Sequence, residues 1–254
     1  MSIAFPNEST GYRVARNRLL DQEIALRRQM EAVAEARRAL PPGGEVPEDY
    51  GFAGLGADGR PARICLSELF REGTDTLVIY CYMFPRYAGD DREEAKTGET
   101  AKLPKAEAPC PSCTGLIDQL EGAAQHFEAG GANLAVVANT SLDRLLGVAR
   151  DRGWRHLRLL SSADNTFKRD YHAEDEKGQQ MPMTLVFQRG TDGRIRLFWA
   201  SDMLYAPSDP GQDHRAAGTI EPLWNLYDLT PGGRPDFQEQ LQYEWRTRRP
   251  PPGS

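Results

Sequence analysis

The chain has 254 residues, of which 39% are hydrophobic and 27% charged, with a formal net charge of -6 at pH 7. That is the balance of an ordinary globular protein, long enough to bury a sizeable core as one large domain or two small ones. The acidic excess argues against a nucleic acid or an anionic membrane surface as partner.

No run of about 18 apolar residues occurs, and the opening MSIAFPNEST lacks the basic and apolar regions of a secretory signal, so the expectation is a cytoplasmic protein that does not span a membrane. The 4 cysteines are too sparse for a disulfide-stapled scaffold and point to a reducing compartment.

From Thr10 to Leu40, apolar residues such as Leu19, Ile24, Leu26, Met30 and Val33 recur at three- and four-residue steps among Arg, Glu and Gln. Ser9 or Thr10 caps this amphipathic helix and Pro41 to Gly44 stops it, which makes 1–44 a helical extension that packs on the domain or on a second subunit, in a homodimer.

Residues 50–70 alternate around the turn signals Gly56, Asp58 and Gly59, predicting a hairpin followed by a helical turn from Ser67 to Phe70. TLVIYCYMF, 76–84, is an apolar run of the kind found in a central strand covered on both faces. Residues 86–109 hold 6 acidic and 5 basic side chains and read as a solvated loop, either an idle insertion or a lid over the neighbouring thiols.

The loop delivers the chain to Cys110-Pro111-Ser112-Cys113, behind which a helical stripe of Leu116, Ile117, Leu120, Ala124 and Phe127 runs to an end near Gly130. Residues 133–137 predict a strand, 141–152 a helix capped by Ser141 and stopped by Gly153, and 156–160 a short strand. MTLVFQ (183–188) and 194–200 form a hairpin across Thr191-Asp192-Gly193, with a helix near 219–226 behind it. Strands alternating with helices and closed by a hairpin imply an α/β layered domain over 45–240, with parallel central strands and an antiparallel edge. Residues 241–254 form a basic, proline-rich tail.

Three readings compete for Cys110 and Cys113. Pro111 suits the first position of a helix, which makes Cys110 its N-cap. There the unpaired amides and the helix dipole lower a thiol pKa from about 8.5 toward roughly 3.5–7.5. The thiolate attacks disulfides, and Cys113, one turn further on the inward face, is placed to resolve the mixed disulfide. A structural zinc site wants four ligands, whereas Cys65 and Cys81 fall in other elements and His126, His156, His172 and His214 are scattered, so no metal is expected. Inert buried thiols are the third reading, and the one that fits Cys65 and Cys81. Asp118 reads as a solvated or capping carboxylate, with proton movement as the rival role.

Met181-Pro182 stands directly before MTLVF, where a proline is tolerated at the start of a strand. The expectation is a cis bond that leaves the Met181 backbone free to pair with an extended substrate beside the thiols.

Together, TLVIYCYMF, the CPSC helix start, the βαβ unit after it, Met181-Pro182 and the Asp192-Gly193 hairpin resemble the thioredoxin superfamily, in the element order of its TlpA and peroxiredoxin-like branch. More closely, residues 12–240 are similar to the bacterial thioredoxin-like family catalogued as domain of unknown function eight-nine-nine. The residues that carry this are Arg37 to Pro41, Tyr50 to Phe52, LSELF at 66–70, Met83-Phe84, the CPSC motif, Ser161-Ser162-Ala163 with Phe167 and Asp170, and Tyr227 to Arg234. The insertion 86–109, the segment Phe198 to Pro207 and Pro109 before the first cysteine depart from the pattern, and the peroxiredoxin Thr-x-x-Cys is absent.

The resemblance implies a thioredoxin-like fold and a thiol–disulfide oxidoreductase without a cofactor. Its partners would be a disulfide-bearing protein or small molecule and a dithiol electron donor. Cys110 would attack, Cys113 resolve, and Pro111, Met181 and Pro182 bind substrate. A thiol peroxidase and a non-catalytic binding module on the same fold are the alternatives.

Overall fold

The computed structural model describes residues 3–212 and 220–243 and divides into two compact units, 1–43 and 44–254. His214, Thr219 and most of the 241–254 tail lie outside the described residues.

The first unit is built on one helix, α1 (Thr10–Arg38). Ser9 is extended and its hydroxyl accepts the Tyr12 amide at 3.1 Å, so the predicted cap forms. The helix ends two residues earlier than the periodicity suggested, and none of its residues is buried.

In the second unit the predicted hairpin is β1 (Gly51–Leu55) and β2 (Pro61–Cys65), with a 3-10 turn over Leu66–Leu69 behind it. Then come β3 (Thr76–Tyr82), α2 (Pro111–Ala129), β4 (Asn133–Ala138), α3 (Leu142–Arg152) and β5 (Arg158–Ser161). A short α4 (Phe167–Asp170), which has too little periodicity to be read from sequence, leads to β6 (Thr184–Arg189), β7 (Ile195–Ala200) and α5 (Pro222–Tyr227). Ser141 caps α3, and Gly153 stops it at φ 77°, a conformation that a side chain would oppose.

The strands make a 7-stranded sheet in the order β2-β1-β5-β4-β3-β6-β7. β3, β4 and β5 run parallel, while β6 pairs antiparallel with β3 and β1 antiparallel with β5. This is the thioredoxin-like fold: a βαβ unit (β3-α2-β4) and a ββα unit (β6-β7-α5) adjoin where β6 pairs with central strand β3, and the leading hairpin extends the far edge.

Alternation along β3 sends Leu77, Ile79 and Cys81 into one core and Tyr80 and Tyr82 into the other. The first core is built around Phe167, which contacts Tyr50, Phe52, Tyr171 and Phe187 ring to edge or tilted. The second holds Leu116, Ile117, Leu145 and Trp154 together with Cys110 and Cys113.

The 86–109 segment is only in part the solvated loop its composition suggests. Arg86, Ala95, Thr100 and Ala108 are buried, and two 3-10 turns lie within it. Asp151 at the end of α3 accepts from the Glu99 and Thr100 amides at 3.0 and 2.7 Å and from the Thr100 hydroxyl at 2.6 Å. Composition misleads at Arg86, Asp90 and Arg92, whose side chains pair with one another and with the backbone, whereas Asp91, Glu93, Glu94, Lys96 and Lys102 face solvent as expected. Among the described residues, no helix is long and apolar enough to cross a membrane.

Candidate active site

Central strand β3 ends where its backbone can still reach the start of α2. The Cys110 amide donates to Met83 O at 2.9 Å, which pins the residue before the helix to the strand end. Cys110 is extended (φ -67°, ψ 125°), as an N-cap must be, with Pro111 as the first helical residue. The Thr114 amide and hydroxyl both donate to Cys110 O, at 2.9 and 2.8 Å, and the Thr114 hydroxyl also meets Tyr82 Oη at 2.5 Å. The cap is therefore rigid.

Cys110 and Cys113 are both free thiols and 5% and 3% exposed. Their environments drive them apart. The Cys110 thiol is held down to about 6, chiefly because the neighbouring Cys113 thiol stabilises its anion; burial opposes this, and the Cys113 amide and the Arg92 guanidinium add to it. Cys110 Sγ makes no geometric capping hydrogen bond, so the Cys113 amide acts through its dipole. Cys113 is pushed well up, first by burial and then by the Cys110 thiolate, while the Tyr80 hydroxyl beside it works the other way. One sulfur is poised as an anion and the other keeps its proton.

The cation comes from the insertion. Arg92 Nη2 donates to Cys110 Sγ at 3.5 Å, and Arg92 Nη1 donates to Ser112 Oγ at 2.7 Å. Asp90 grips the same guanidinium from behind, accepting from Nε at 2.9 Å and Nη2 at 2.7 Å. This fork is the bidentate geometry that suits arginine. Buried Arg86 braces the loop by donating to Lys105 O at 3.1 Å and Arg92 O at 3.2 Å. From the C-terminal side, buried Glu239 accepts from Ser112 Oγ at 2.9 Å, and its carbonyl lies 3.4 Å from Arg92 Nη1.

These pieces frame a cleft of about 570 Å³ over Cys110, walled by Met83, Tyr87, Trp224 and Phe237. Nothing local in the sequence marks Arg92, Asp90 or Glu239, since they reach Cys110 only through the fold.

A second cation sits behind the pair. Lys168 is 1% exposed, its Nζ donates to Tyr82 O at 2.7 Å, and burial pushes it down to about 8 against the influence of Cys81 and Cys113.

The expectations for Met181 and Pro182 need correction. The cis bond is at Phe84-Pro85, not at Pro182. The Met181 amide is already committed to Ala173 O at 2.9 Å, and Met181 O accepts the Met183 amide at 3.1 Å in a tight turn into β6. That turn closes on itself, so the Met181 amide is not free for an added strand, and neither residue lines the cleft over Cys110. Pro111 is where it was expected, buried at the helix start. Asp118 accepts from both Arg152 and Trp154 Nε1, the latter at 2.9 Å, and so ties α2 to the end of α3 away from the cleft. Cys81 is a core residue, whereas Cys65 at the edge of β2 is only half-buried. Among the described residues, no three His, Cys, Asp or Glu side chains gather as a metal site.

The sequence model of a family described as "Bacterial protein of unknown function (DUF899)" matches residues 3–249. No curated protein matches. Solved structures similar to this chain include peroxidoxin BcpB from Mycobacterium tuberculosis, 19% identical with a TM-score of 0.42, covering 72% of this chain and 95% of that one. Peroxiredoxin Q from Xanthomonas campestris is 16% identical with a TM-score of 0.39 over 61% of this chain and 85% of its own. The mitochondrial 2-Cys peroxiredoxin from Plasmodium falciparum is 13% identical with a TM-score of 0.41 over 76% and 98%.

Proposed function

The chain belongs to the DUF899 family of bacterial proteins, whose description carries no activity, and from its site we propose that it is a thiol–disulfide oxidoreductase in which Cys110 attacks and Cys113 resolves. The observation that carries this is the opposed pair: an N-cap sulfur with a guanidinium at 3.5 Å, and within one helical turn of it a buried, protonated partner.

The chemistry closes without a cofactor. Cys110 thiolate attacks one sulfur of a substrate disulfide, forms a mixed disulfide and expels the other sulfur as a thiolate. The Cys113 thiol then passes its proton to solvent or to that leaving thiolate, and its sulfur attacks Cys110 Sγ. This forms the Cys110–Cys113 bond and releases the second substrate thiol. The substrate disulfide gains two electrons and the protein dithiol loses two, which an external dithiol restores. Arg92 stabilises Cys110 as attacker and again as the leaving sulfur when the protein disulfide is reduced.

The test is to treat reduced protein with excess 2-hydroxyethyl disulfide, alkylate it and map the peptides. The expected product is a Cys110–Cys113 disulfide, with Cys113→Ser stopping at the mixed disulfide on Cys110. Alkylation of both thiols after full exposure to the disulfide contradicts the reading. Rapid hydroperoxide consumption that needs Cys110 alone would reassign the site to a thiol peroxidase.

A further inference from the structure

The cleft over Cys110 has a size and a charge, and both restrict what can reach the sulfur. Its volume, about 570 Å³, falls in the range of small-molecule sites. Cys110, which lines it, is only 5% exposed, and such burial disfavours a disulfide fixed in a folded protein surface relative to a small one.

The lining carries four carboxylates, Asp90, Asp91, Asp236 and Glu239, against two guanidiniums, Arg92 and Arg234. Neither guanidinium is available to an incoming anion. Arg92 is forked onto Asp90 and faces Cys110, while Arg234 is held by Asp228 at 2.9 Å and lies 5.7 Å from the Trp224 ring centroid. Glu239 is engaged by Ser112. Asp91 and Asp236 are exposed and have no hydrogen-bond or ion-pair partner among the described residues. They are the charges that a ligand meets first. The thiolate at the base adds a further negative charge, and the chain as a whole carries -6.

On this ground, and resting on the oxidoreductase reading above, we propose that the substrate class is a low-molecular-weight disulfide bearing an ammonium group close to its sulfurs. The ammonium pairs with Asp91 or Asp236 at the rim. The hydrocarbon arms pack between Trp224, Phe237 and Tyr87, and a substrate sulfur then meets Cys110 Sγ. Bond changes and electron flow are those of the exchange already described. A polyanionic disulfide enters the same cleft against the field of the rim, so discrimination is electrostatic and fades with salt.

The test compares three probes on reduced full-length protein at low ionic strength: cystamine (cationic), 2-hydroxyethyl disulfide (neutral) and dithiodiglycolate (anionic). Rates are read by acid quench and mass, and each is normalised to the probe's rate with a free uncharged thiol. We expect cystamine to lead dithiodiglycolate by about tenfold or more, a ratio of the size that electrostatic focusing gives. The ratio should fall several-fold in 0.5 M salt and again in the Asp91→Asn/Asp236→Asn double variant. Asp58→Asn, on the distant β1–β2 turn, should leave it unchanged. Equal or faster reaction of dithiodiglycolate, or a ratio indifferent to the double variant, overturns the substrate class while leaving the dithiol chemistry standing. Failure of all three probes to convert the pair removes both.

Discussion

Arg92 reaches across from the 86–109 insertion to place its guanidinium 3.5 Å from Cys110 Sγ, in an orientation fixed by Asp90 rather than by the thiol. Burial works against the charge on Arg92, yet its hydrogen bonds to Asp90 and to the thiolate keep it firmly protonated. An opposite charge at this distance shifts a thiol by about one to three pH units. In Arg92→Leu the Cys110 titration should therefore move up by about one unit or more. Alkylation near pH 6.5 should then slow by about threefold or more, while the rate at pH 9.5 stays within about twofold. Arg92→Lys should recover only part of the effect, because an ammonium cannot fork onto Asp90 and face the sulfur together. An unchanged pH profile in Arg92→Leu would show that the Cys113 thiol and the helix terminus ionise Cys110 without the guanidinium.

Buried Lys168 predicts a pH-dependent stability. Its folded value, pushed down by burial to about 8, lies below the value of about 10.4 for a free lysine. Between these limits the unfolded chain binds more protons than the folded one, so the folded state gains stability as pH rises through that window and loses it on the way down. Relative to Lys168→Met, the wild type should gain about 2 to 3 kcal/mol from pH 8 to pH 10.4 in urea unfolding. Parallel curves would contradict the assignment of a titrating, buried amine.

Phe167 anchors the core opposite the thiols. It is fully buried, and its ring contacts Tyr50, Phe52, Tyr171 and Phe187 at centroid distances of 5.0–6.0 Å. Phe167→Ala should cost about 3–5 kcal/mol of unfolding free energy, since such a site cannot collapse around the lost ring. A loss below about 1 kcal/mol in denaturant titration would mean that the cluster repacks.

Local signals make much of this protein readable from its sequence. Ser9, Ser141 and Gly153 mark helix ends through short-range hydrogen bonding and backbone conformation, and Pro111 fixes Cys110 as a cap in the same way. The buried run 76–82 announces the central strand because both its faces have to be apolar. What stays hidden is long-range. Arg92 lies 18 residues from Cys110, in a stretch whose composition suggests solvated charge, and Glu239 lies 127 residues from Ser112. The Met181-Pro182 expectation fails for a related reason. A proline before a strand constrains φ, but the chain around it, here Ala173 and Met183, decides whether the flanking backbone groups stay free.

The central claim is that Cys110, and not Cys113, is the anion near neutrality. Its most direct test is the pH dependence of iodoacetamide labelling in the reduced protein, with each thiol tracked separately by peptide mass. The account predicts a Cys110 midpoint near 6, with Cys113 unreactive across the neutral range. A midpoint for Cys110 at or above about 8.5, the value of an ordinary thiol, or labelling of Cys113 ahead of Cys110, would contradict it.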